Sequence, residues 1–109
     1  MMVLLDEPTL MLFESPDKPP DWLEAVDVLD GEYSFCDEDG QRYVGVMTRP
    51  AGWFRLPEYV LRPEGDPDIA NALQLAEQAV MIESNEWFAD LESLRRHLEE
   101  RRRAGTSRL

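Results

Sequence analysis

The 109 residues are 43% hydrophobic and 31% charged, enough apolar material for the core of one ordinary domain, which excludes a chain disordered throughout. No apolar run approaches the ~18 residues of a membrane span. The start, MMVLLDEPTL, has no basic segment ahead of its apolar residues, so no secretory signal is read there. The formal charge of −12 is lopsided: residues 1–40 carry 12 of the 23 carboxylates against Lys18 alone, whereas residues 41–109 carry 11 acids and 10 bases. Such a field repels nucleic acid and anionic lipid and attracts basic surfaces. Cys36 is the single cysteine, so no intrachain disulfide forms, and a reducing cytoplasm is the expected compartment.

In chain order, residues 1–8 read as a loose end and residues 9–13 as a short strand. Three prolines between Ser15 and Pro20 mark a turn. Residues 25–47 then read as three antiparallel strands. Asp30-Gly31 is a favoured two-residue hairpin turn, and Gly40 closes a second, longer turn from Glu38 to Gln41. This register sets Phe35 opposite Val44 and Asp37 opposite Arg42. It gathers Val26, Val28, Tyr33, Phe35, Val44 and Val46 on one buried face. Trp22, Ala25, Val26 and Leu29 also fit helical spacing after Pro19-Pro20, but that helix would be very short and would leave the Asp30-Gly31 turn unused.

Beyond Met47, the breaks at Pro50 to Gly52, Pro57 and Pro63 leave two short apolar pieces, residues 53–56 and 59–61. A helix is predicted over 68–82, capped by Asp66, with a stripe of Ile69, Leu73, Ala76 and Val80. A second is predicted over 86–103, with the stripe Trp87, Leu91, Leu94 and Leu98, Gly105 past its end, and residues 104–109 loose. Its acids lie near its start and its arginines near its end, as the helix dipole favours. Strands followed by helices give an α+β fold: an antiparallel meander of three to five strands, with two C-terminal helices packed on one face. Residues 1–109 form a single domain on this reading.

No stretch carries a catalytic, metal or cofactor signature. Asp37-Glu38-Asp39-Gly40 begins like a calcium loop, but the twelfth position is Thr48, which cannot supply the bidentate carboxylate. Cys36 has carboxylates beside it and no base, which disfavours a thiolate. His97 is the single histidine and reads as a solvated surface residue, and Arg95 to Arg103 read as helix-end charge pairing. Trp22 and Trp87 read as caps on the ends of the core. Gly52-Trp53-Phe54-Arg55 sets three residue types favoured as interface anchors side by side, against the more ordinary reading that one or both aromatics fill the core.

The leading expectation is a non-catalytic domain that binds a basic protein partner: an inhibitor, an immunity or antitoxin-like protein, or an assembly adaptor. Asp37, Glu38 and Asp39 would steer the partner, and Trp53, Phe54 and Arg55 would anchor it. The alternatives are a small-ligand or enzymatic domain with a carboxylate and arginine pocket between sheet and helices, and a homodimer formed through an edge strand or Trp53-Phe54. No cofactor and no membrane partner are expected.

Overall fold

A computed structural model describes residues 1–5 and 8–107 of the chain. Residues 6–7 and 108–109, parts of the expected loose ends, lie outside the described residues. The fold is a mixed α+β arrangement of a six-stranded sheet and three α-helices. The strands are β1 (Met2–Leu4), β2 (Thr9–Leu12), β3 (Ser34–Cys36), β4 (Arg42–Arg49), β5 (Glu58–Glu64) and β6 (Met81–Ile82). The helices are α1 (Ala25–Leu29), α2 (Ile69–Gln78) and α3 (Leu91–Ser107). The sheet order is β5-β4-β3-β1-β2-β6, antiparallel except for the parallel pair β2/β6. The sheet therefore has one strand more than the expected maximum, and its meander is β3-β4-β5.

The expected loose end is in part a central strand. Met2 and Val3 are buried, and β1 lies between β2 and β3. Its side chains are apolar on both faces because both faces are covered. Val3, Met11 and Phe35 join Val28, Tyr59 and Leu61 beneath α1. Met2, Leu10 and Cys36 join Ala72, Leu73, Ala76, Leu94 and Leu98 beneath α2 and α3. Leu94 and Leu98 are buried as the stripe predicts, while Leu91 is partly covered and Arg102 and Arg103 are exposed.

Residues 25–29 form α1 and not a strand. Gly31, at φ 77°, takes the position after the helix cap, where its N–H donates to Val28 O at 3.1 Å and Glu32 N–H donates to Asp27 O at 3.2 Å. This is the Schellman closure. A glycine able to adopt positive φ serves a hairpin and a helix end equally, so the dipeptide did not discriminate. Val26 is 55% exposed as a result.

The β3/β4 register is one residue from the expected one: Phe35 pairs with Tyr43 and Cys36 with Arg42, leaving Phe35 and Val44 on opposite faces. Asp37 N–H donates to Gln41 O at 3.0 Å, so three residues close the turn, with Gly40 at φ 86°. Such loops end in a left-handed residue. The Asp37 carboxylate holds the turn by accepting from Asp39 N–H and Gln41 N–H, both at 2.9 Å. A Cβ on Gly40 would lie 1.8 Å from Asp68 O, so only glycine lets this turn sit against the start of α2.

Two helix starts also moved. Asp68, not Asp66, caps α2 by accepting from Ala70 N–H at 3.0 Å. Asp90 caps α3: its carboxylate accepts from Ser93 N–H at 2.8 Å, and these bonds hold its pKa below the ordinary value. Asn85 makes a turn of its own over Trp87 and Phe88, which keeps residues 86–90 out of the helix. At its far end α3 runs through Gly105 to Ser107. Residues 81–82, expected in the first helix, pair with β2 as β6 instead. Arg95 joins the two helices by donating to Ala76 O and Ala79 O at 2.9–3.1 Å, carbonyls left open where α2 ends.

Candidate functional site

The structure separates the six expected binding residues into two groups, at opposite ends of β4. Eight extended residues span roughly 25 Å.

Asp37, Glu38 and Asp39 form the turn between β3 and β4. There they meet α3. Glu38 lies 3.2 Å from His97 Nε2 and 3.8 Å from an Arg101 guanidinium nitrogen. Arg101 also pairs with Asp39. Of the carboxylates expected to steer a partner, Glu38 and Asp39 thus already hold the chain's own basic helix, while Asp37 holds its own turn. His97, expected to be solvated, has Glu38 at one edge and the Phe88 ring at a centroid distance of 5.3 Å. A cleft of about 550 Å3 opens beside this cluster, lined among others by Phe13, Asp37, Glu38, Tyr43, Trp87 and His97. Burial first, and Asp37 second, push the Cys36 thiol up to about 11, which removes it as a nucleophile near neutral pH. Among the described residues, no group of three His, Cys, Asp or Glu side chains is placed to hold a metal ion. No helix among them is long and apolar enough to cross a membrane.

Trp53, Phe54 and Arg55 sit at the other end, on the tip of an arm formed by β4 and β5. The expected short strand 53–56 is mostly a turn. Gly52 and Arg55 pair through Gly52 N–H to Arg55 O at 3.1 Å, leaving Trp53 and Phe54 as the two turn residues. Neither has positive φ, so this turn does not need the Asn-Gly or Asp-Gly of primed hairpin turns and accepts most residues. Their side chains are 97% and 99% exposed. The local backbone gains nothing from this choice of residues, and neither does the core.

The arm stands out because helices cover it on one face only. Val28 of α1 presses on β4, and a Cβ on Gly45 would lie 2.6 Å from Val28 Cγ1. Tyr59 lies below, donating to Leu23 O at 3.1 Å, and burial raises its pKa to about 12. The opposite face leaves Val44 and Val46 in solvent, the valines that the expected register had placed in the core.

Beside the tip, between α1 and β5, runs a groove of about 580 Å3 that sequence reasoning missed. Trp22, Val26, Leu56 and Val60 give it apolar walls, and Asp21, Glu24 and Glu58 are the charged residues lining it. Glu58 pairs with Arg49 at 2.8 Å. Trp22, expected to cap the core, is 73% exposed here, and Leu56 is 79% exposed. Trp22 follows the turn Pro19–Asp21 and Val26 lies in α1, with Glu24 extended between them, so helical spacing gave no usable signal for the groove.

The fold and these surfaces define a small α+β domain with a projecting β-arm. The chain matches no protein-family profile, no curated protein and no solved structure.

Proposed function

We propose that this chain is a non-catalytic protein-interaction domain, which binds a basic, partly apolar partner segment through the arm tip and the adjoining groove. The observation that carries this reading is the pair Trp53 and Phe54, placed fully in solvent at the two-residue turn that ends the arm, where neither contributes to the core. Trp is among the residues that dominate binding energy when they enter a partner's pocket. Trp22, Val26 and Leu56 extend the apolar surface, and Asp21 and Glu24 give it the sign that a basic partner matches. In this reading the turn 37–41 contributes to the long-range negative field, with Glu38 and Asp39 engaged by α3.

The test is affinity capture from the source organism at low and high salt, using the wild-type chain, Trp53→Ala and the pair Asp21→Asn with Glu24→Asn. The expected result is a partner retained by the wild type, released faster by Trp53→Ala, and captured more slowly and with weaker salt dependence by the neutralised groove. A partner indifferent to all three substitutions would remove the reading.

A second reading, a small-ligand domain, has one observation in its favour: the cleft that brings Phe13, Tyr43 and Trp87 together with Asp37, Glu38 and His97. A melting temperature raised by small organic cations, and no longer raised in Trp87→Ala, is the result that would favour it.

A further inference from the structure

Tip and groove are complementary to each other. The tip offers two aromatic side chains followed by Arg55, and the groove offers apolar walls with Asp21 and Glu24 beside them. Among the described residues, neither Asp21 nor Glu24 has an ion-pair partner. The arm is also basic against an acidic body. Residues 42–64 carry four arginines and two glutamates, a formal +2 on a chain of −12. The two surfaces adjoin, because Leu56 and Pro57 line the groove and follow the tip directly.

We infer that the occupant of the groove is the arm tip of a second copy of this chain, in a reciprocal two-fold dimer. This deepens the interaction reading above and rests on it. Complementary patches side by side on one surface are what an isologous contact requires. A two-fold axis near Leu56 sets each tip over the other copy's groove, so both contacts form together and the assembly closes at two. Within one chain the tip cannot fold back on the groove, because residues 52–55 are held as a closed turn at the end of the β4/β5 ladder. The area suffices. Trp22, Trp53 and Phe54 from two copies are six rings at about 150–250 Å2 each, or roughly 900–1,500 Å2. A specific interface needs about 1,000 Å2. Arg55 of each copy then meets Asp21 and Glu24 of the other.

The experiment is sedimentation velocity of the full chain up to about 100 µM, at low and high salt. It covers the wild type, Trp53→Ala, Arg55→Glu, and the pair Asp21→Lys with Glu24→Lys. Circular dichroism and melting curves confirm that each variant folds. The expected result is a wild-type dimer that weakens with salt, and at least tenfold weaker self-association in every variant. Mixing Arg55→Glu with the Asp21→Lys, Glu24→Lys chain restores the dimer, because both contacts in that heterodimer pair opposite charges, whereas both contacts in each variant's own dimer pair like charges. A wild-type chain that stays monomeric overturns the inference, and so does a dimer indifferent to these charges. None of these outcomes touches the capture experiment above, so self-docking and the broader interaction reading fail separately.

Discussion

The half of the sheet under α2 and α3 and the arm formed by β4 and β5 differ in what covers them, and their sequences hide the difference. In β1 and β2 the run of apolar residues without alternation means burial on both faces, and Met2, Val3 and Leu10 are all buried. In β4, Tyr43 and Gly45 face the core below α1, while Val44 and Val46 face solvent. Valine is favoured on a pleated strand whichever face it occupies, so its presence does not identify the buried side. Apolar residues hold the first half together. On the arm, many of them lie where they cannot stabilise a monomer. The molecule measures 54 × 29 × 20 Å, an elongation consistent with a projecting arm.

The sharpest test of this contrast is truncation in each half. Leu98→Ala removes a fully buried side chain between α3 and the sheet and should cost about 2–5 kcal/mol in denaturant unfolding. Phe54→Ala at the tip should stay within about 0.5 kcal/mol of the wild-type monomer. Equal losses at the two sites would end the distinction.

The joints of each half give the next effects. Arg95→Met leaves Ala76 O and Ala79 O without their charged donor, with an expected loss of roughly 1.5–3 kcal/mol by the same measurement. Gly45→Ala drives a methyl into Val28 Cγ1 where α1 crosses the arm, at an expected cost of about 1–3 kcal/mol. Adding Val28→Ala should recover part of that loss, so a double-mutant cycle with no coupling would separate α1 from the arm.

Alkaline titration engages both halves. Cys36 lies under the helices and Tyr59 under α1, and burial raises both above their ordinary values, to about 11 and about 12. In each case the folded chain keeps a proton that the unfolded chain has already released. Stability is therefore full below the ordinary pKa and lost as pH rises through the raised one. Unfolding monitored by circular dichroism should ease from about pH 9 upward. Cys36→Ser should reduce the slope at its lower end. Asp90 works in the other direction: its lowered pKa means its contribution is present at neutral pH and lost on acidification.

The smallest effect belongs to the turn 37–41. Glu38→Gln weakens exposed pairs with His97 and Arg101, and exposed pairs are worth about 0.2–1 kcal/mol. A loss beyond that range would make the turn a structural clamp for α3.

The α+β class, a β3–β4 hairpin turning near Gly40 and the Leu94 and Leu98 stripe of α3 are legible in the residues alone. Those features rest on local physics: helical periodicity and turn chemistry. What depends on distant partners is set by the packing of the whole fold. Gly31 closes a helix because α1 has Tyr59 and Gly45 to pack on, and its positive φ alone would have served a hairpin as well. Residues 81–82 leave the helical pattern to pair with β2, a choice made by an open sheet edge far away in sequence, at Thr9 and Leu10. Asp37, Glu38 and Asp39 look free in sequence and are engaged in the fold: Asp37 holds its own turn, and α3 brings His97 and Arg101 back to Glu38 and Asp39. Trp22 looks like a core residue and lines a groove beside Leu56, because the turn Pro19–Asp21 before it buries Pro19 and leaves Trp22 exposed. Side chains and short-range spacing are written in the chain, whereas which face of a strand or helix meets another element is fixed by contacts between residues far apart in sequence.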